Sequence, residues 1–140
     1  MRKVLLSLAV IVLVAPAFAQ SHSTGGVNPK FKKLTPEELK SLVDKKANFY
    51  FLDVREPDEL VKLGTIDGYH NIPLSQLEGR VKEIPKDAVI VSACNRAVRA
   101  SRAAEILEKH GYKQISVCAM LEYNDKGYKL VYPKPGDGKK

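Results

Sequence analysis

The chain reads as an α/β domain, with a central, mainly parallel sheet flanked by helices in three layers. Three observations predict it. Apolar runs that do not alternate with polar residues, Phe49-Tyr50-Phe51-Leu52 and Ala88-Val89-Ile90-Val91, suit strands buried on both faces. Stretches with helical signals separate these runs, so strand and helix alternate along the chain. The 140 residues make one domain once a leader is set aside. On such sheets a ligand sits beyond the carboxyl ends of the strands.

The elements follow in order. Thr35-Pro36-Glu37-Glu38 is a capping box with proline at the first helical position, and it opens a helix over 36–45. The first buried strand is 49–54. A short helix over 56–63 stops at Gly64, and Asp67-Gly68 turns the chain into a brief strand over 69–72. A second short helix spans 74–81 and ends before Pro85. The central strand is 88–92. The longest helix, 97–110, has His110 in its last turn and Gly111 just past its end. A last strand covers 115–118, and a closing helix over 121–126 stops at Gly127.

Residues 1–19 read as a cleavable secretory signal peptide. Arg2 and Lys3 form its charged start, residues 4–14 its apolar stretch, and Ala17-Phe18-Ala19 its cleavage site, so the mature chain is expected to begin at Gln20. The apolar run is too short to span a bilayer well, and no stable membrane anchor is expected after cleavage. The expected location is periplasmic or secreted. Residues 20–33 read as a flexible lead-in, 34–133 as the domain, and the Pro, Gly and Lys of 134–140 as a disordered tail. The formal charge is +7, or +5 without Arg2 and Lys3. That balance suits anionic small molecules, and nucleic acid is not an expected partner in such a compartment. There is no glycine-rich phosphate loop, and His70 has no second histidine or carboxylate at ligand spacing, so neither a cofactor nor a metal is expected.

The chemistry concentrates at Cys94, where the central strand gives way to the longest helix. The first helical turn offers unpaired N–H groups and a partial positive charge. Both favour thiolate over thiol, and a thiolate is the nucleophilic form. Arg96 and Arg99 add fixed positive charge and planar donors for an anionic substrate. The competing reading is an inert cysteine packed at a strand end. Arg55 and Glu59 have the spacing of an ion pair across one helical turn.

Together these segments resemble the rhodanese-like sulfurtransferase family. The sequence from Phe51 through Asp53, Arg55 and Glu59 is similar to the family's first signature. Gly64-Thr65-Ile66-Asp67-Gly68-Tyr69-His70-Asn71-Ile72-Pro73 resembles the second, with Thr65 where histidine is usual. Cys94-Asn95-Arg96-Ala97-Val98-Arg99 resembles the active loop, and Lys109-His110-Gly111-Tyr112 the end of the following helix. The resemblance implies a catalytic Cys94 that attacks the outer sulfur of a small anionic donor such as thiosulfate and holds it as a persulfide. It implies that Asn95, Arg96, Ala97 and Val98 cradle the substrate, that Arg99 serves catalysis, and that Asp53 and Arg55 support the loop. The acceptor would be a thiol or a protein. Four residues separate Cys94 from Arg99 where related phosphatases have five, so the resemblance implies sulfur transfer rather than phosphoester hydrolysis.

The chain departs from the family pattern at Ala97, where glycine is common, and at Ala100, where serine or threonine is common. A positive φ at Ala97 would strain the loop, and a negative one would not. Cys118-Ala119-Met120-Leu121-Glu122-Tyr123 replaces a glycine pair and a tryptophan. Three roles are open to Cys118: a packed small residue, a disulfide partner of Cys94, or a resolving thiol that attacks a Cys94 persulfide or sulfenate. Two functions follow. One is an exported sulfurtransferase. The alternative is a catalytically weak binding or thiol-redox module that uses Cys94 and Cys118.

Overall fold

The computed structural model describes residues 26–137. The signal peptide read from 1–19, the first part of the lead-in and the last three residues lie outside the described residues.

Five strands form one sheet. They are β1 (Lys32–Lys33), β2 (Tyr50–Asp53), β3 (His70–Asn71), β4 (Ile90–Cys94) and β5 (Ile115–Ala119), in the order β1-β5-β4-β2-β3, and every pair is parallel. The helices are α1 (Pro36–Asp44), α2 (Pro57–Leu63), α3 (Leu74–Arg80), α4 (Val98–Lys109) and α5 (Met120–Asp125), with a 3-10 turn over Val81–Glu83. Thr35 caps α1 as its sequence predicts: its hydroxyl accepts from Glu38 N, and the Glu38 carboxylate accepts from Thr35 N.

Side chains alternate across β4, which is buried throughout because helices cover both faces. Ile90 and Cys94 join one core with Leu77 of α3 and Ala100, Ala103, Ala104 and Leu107 of α4. Val91 and Ala93 join the other with Leu39 of α1 and Met120 and Tyr123 of α5. The small alanines let α4 lie close against β4 and β5, which fixes where its N-terminus emerges beside the end of β4.

Two boundaries differ from the sequence reading. Residues 27–33 belong to the fold and are not a flexible lead-in. Val27 packs on the core, Phe31 is buried, and Asn28 Nδ2 donates to Glu105 Oε1 at 2.8 Å. Lys32 and Lys33 pair with Ser116 and Val117 as an edge strand. Residues 134–137 form a turn and are not a featureless tail: Asp137 N donates to Lys134 O at 3.0 Å and Lys134 N to Asp137 Oδ2 at 2.9 Å. Just before it, Val131 bridges antiparallel to Thr65. No described helix is long and apolar enough to cross a membrane.

Candidate active site

β4 delivers Cys94 to the carboxyl edge of the sheet, and the chain turns directly into α4. The turn requires a left-handed residue, and Ala97 supplies it at φ 63° and ψ −6°. The strain anticipated for a positive φ is therefore present, at a cost of about 1–2 kcal/mol for an L-residue. Two effects offset it. The Ala97 methyl is fully buried in the core, which returns about 0.8 kcal/mol. Alanine also restricts the unfolded chain relative to glycine, worth about 0.4–1 kcal/mol. Ala97→Gly is therefore expected to change the unfolding free energy by less than about 1 kcal/mol in either direction, as read by urea denaturation. A change beyond about 2 kcal/mol would contradict this balance.

The sulfur lies at the floor of an open depression of about 360 Å³, lined by Cys94, Asn95, Arg96, Val98, Arg99 and Leu121. Cys94 is only 2% exposed. The backbone N–H of Ala100 points at its Sγ across 3.4 Å. Ala100 lacks the hydroxyl common in the family, and it is the main chain that reaches the sulfur.

Two ion pairs flank the loop. Asp53 and Arg55 form one with side chains 0% and 1% exposed. Arg55 Nε donates to Asp53 Oδ1 at 2.9 Å, and Arg55 Nη2 donates to Asp53 Oδ2 at 2.7 Å and to Gly64 O at 2.8 Å. Thr65, standing where the family usually has histidine, donates its hydroxyl to Asp53 Oδ2 at 2.8 Å. In the second pair Arg99 grips Glu59 with both terminal nitrogens at 2.7 Å. This bidentate contact holds the Glu59 carboxyl down at about 2, well below the usual carboxylate range, and raises Arg99.

Several sequence expectations change here. Arg55 does not pair with Glu59: its guanidinium turns inward to Asp53, and Glu59 goes to Arg99. The terminal nitrogens of Arg99, expected to meet the substrate, are occupied by Glu59. The side chain of Asn95, expected to bind substrate, is held by protein groups. Its Oδ1 accepts from Arg55 Nη1 at 3.1 Å and its Nδ2 donates to Glu59 Oε1 at 2.9 Å. Arg96 is exposed on the rim and makes no salt bridge among the described residues. His70 is exposed and stacks flat on Tyr50 with ring centroids 3.9 Å apart. No group of residues able to hold a metal occurs among the described residues.

Cys118 sits across from Ala93 in the sheet register, and Cys94 across from Ala119. Alternation therefore sends the Cys118 side chain into the α1–α5 core, while Cys94 belongs to the α4 side. Both cysteines are free thiols. Burial pushes the Cys118 thiol well above its ordinary range. Local spacing assigns Glu59 the wrong partner. Its partner Arg99 lies 40 positions away, beyond any local spacing rule.

The fold matches known proteins. The family model for the Rhodanese-like domain matches residues 35–120, and the chain belongs to that family. It is 42% identical over 96 residues to "Uncharacterized protein YqhL" of Bacillus subtilis, covering 69% of this chain and 68% of that one. Three other curated relatives are longer, and the match spans 22–44% of their lengths. Among solved structures, a rhodanese-related protein from Thermoplasma volcanium superposes with a TM-score of 0.66 at 27% identity, covering 74% of this chain and all of that one. The Saccharomyces cerevisiae single-domain sulfurtransferase RDL2 superposes at 0.61 with 26% identity, covering 69% of this chain and 91% of that one.

Proposed function

We propose that this member of the rhodanese-like sulfurtransferase family moves a sulfane sulfur from a small anionic donor, with thiosulfate as the reference donor, to a thiol or protein acceptor. The observation that carries the reading is the Cys94 sulfur, set at the floor of a short loop with a main-chain N–H aimed at it. The Cys94 thiolate attacks the outer sulfur of thiosulfate. The S–S bond to the sulfonate breaks, sulfite leaves with the bonding pair, and Cys94 holds the transferred sulfur as a persulfide. The loop N–H groups stabilise the anionic outer sulfur, as an oxyanion hole does for oxygen. A nucleophilic acceptor then takes that sulfur and returns the thiolate.

In this reading Arg96 attracts the donor and Arg99 clamps the loop to Glu59. The residue-1–19 leader would send the protein to the periplasm or medium, where such a donor meets it. The thiol-redox alternative needs Cys118 at the loop, and its register on the opposite sheet face counts against that role. The test is steady-state sulfur transfer from thiosulfate to cyanide by the reduced protein, followed as thiocyanate. Arg96→Ala is expected to raise KM about threefold to fivefold with kcat nearly unchanged, the signature of a lost rim charge. An unchanged KM would remove Arg96 from donor binding, and absence of turnover in the wild-type protein would sink the proposed activity.

A further inference from the structure

A single side chain joins the two ion pairs. Asn95 presents its amide oxygen to a guanidinium and its amide nitrogen to a carboxylate. No other side chain of this size offers an acceptor on one end and a donor on the other. An aspartate would keep the Arg55 contact and set a like charge against Glu59. The Asn95 carbonyl is tied as well, accepting from Leu121 N at 3.2 Å. The residue next to the nucleophile is therefore held at three atoms, by β2's exit, by α2 and by α5.

The chain of contacts continues outward. Arg55 is fixed by Asp53 and by Gly64 O, and Asp53 takes the Thr65 hydroxyl. Thr65 is in turn clamped to Val131 by two main-chain hydrogen bonds of 2.9 and 2.8 Å. Gly64 leaves no room for a side chain: an added Cβ would stand 3.0 Å from the Tyr132 ring and 3.1 Å from the Leu130 Cβ. Leu130, Val131 and Tyr132 form a C-terminal strap that lies beyond the part of the chain that the family model matches and packs directly on the Gly64–Thr65 corner.

We infer that Asn95 is a positioning residue that couples the Asp53–Arg55 and Glu59–Arg99 pairs, and that Thr65 is the far end of the same relay. Through it the strap-braced corner sets the aim of the Ala100 N–H, at the start of α4, on the Cys94 sulfur. Asn95 touches no substrate in this role. The inference rests on the proposed sulfur chemistry only for its rate readout, and a second readout is independent of it.

The experiment is a double-mutant cycle in the full reduced chain with Thr65→Val, Asn95→Asp and both together, and with Thr65→Ser as the hydroxyl-retaining control. Two quantities are read: kcat and KM for thiosulfate, and the rate of Cys94 alkylation by iodoacetamide at fixed pH, followed on the Cys94 peptide. Asn95→Asp is expected to lower kcat and alkylation about tenfold and Thr65→Val about fivefold, each with KM within about twofold of wild type. Thr65→Ser stays near wild type. Because both act through one relay, the double variant falls within about twofold of Asn95→Asp alone. A double loss of about fiftyfold, the product of the two, would mean two unrelated local effects and overturn the relay. If Thr65→Val does not fold, Asn95→Asp decides alone: it keeps the shape and the Arg55 bond, so wild-type alkylation would overturn the inference. If the wild-type protein transfers no sulfur, the proposed activity fails while the alkylation cycle still decides the relay.

Discussion

Replacing Arg55 with methionine should cost about 3–5 kcal/mol of folding stability, the cost of leaving one member of a buried ion pair without its partner. The site leaves little room for adjustment. Asp53 is fully buried at the end of β2, and Arg55 supplies both of its side-chain ionic contacts as well as a main-chain donor at 3.2 Å. Without the guanidinium, only the Thr65 hydroxyl and the main-chain N–H of residue 55 face that carboxylate, and neither carries a compensating charge. A small domain has roughly 5–15 kcal/mol in total, so the variant should unfold well below the wild type in urea or on heating. Asp53→Asn in the Arg55→Met background should recover part of the loss, because it removes the stranded charge. A single-variant loss under about 1 kcal/mol would show that the pair is not what holds this end of the sheet.

Replacing Cys94 with serine should abolish sulfur transfer, by at least about a thousandfold, while changing stability by less than about 2 kcal/mol. Oxygen is smaller than sulfur and sits closer to its carbon, so the exchange adds no bulk to the loop and leaves a hydroxyl that can still accept from the Ala100 N–H. The chemistry does not tolerate it, because the hydroxyl does not ionise near neutral pH and cannot form a persulfide. Cys118→Ala provides the contrast. The sheet register sets Cys118 on the other face, so transfer should stay within about twofold of wild type, apart from a modest core penalty in stability. A loss of transfer comparable with that of Cys94→Ser would restore Cys118 to the mechanism as a resolving thiol.

The alternating architecture is legible in the sequence because a parallel sheet covered on both faces demands unbroken apolar strands, and β2 and β4 have them. The edge strand β1 is not legible, since Lys32 and Lys33 are exposed and carry no apolar pattern. Its cause is tertiary: Phe31 and Leu34 on either side are buried, and Leu34 N donates to Val117 O at 2.8 Å. Cys94 is legible from its place at a strand-to-helix junction; at Ala97 the sequence leaves the sign of φ open, and the turn into α4 makes it positive. The partners around the loop are not. Helical spacing favours Arg55 with Glu59, but the fully buried Asp53 takes Arg55, and the loop then brings Arg99 to Glu59. Local rules weigh pairs four residues apart, whereas the fold decides between pairs by the cost of an unpaired buried charge. The same holds for Asn95, whose amide is spent on two charged groups that only the folded chain brings together.

The most direct measurement is the intact mass of the fully reduced protein after incubation with thiosulfate, beside Cys94→Ser under the same conditions. A gain of one sulfur atom in the wild type and none in Cys94→Ser is the predicted result, with sulfite released in equal amount. No gain in the reduced wild-type protein, or a gain that persists without Cys94, would contradict a Cys94 persulfide carrier.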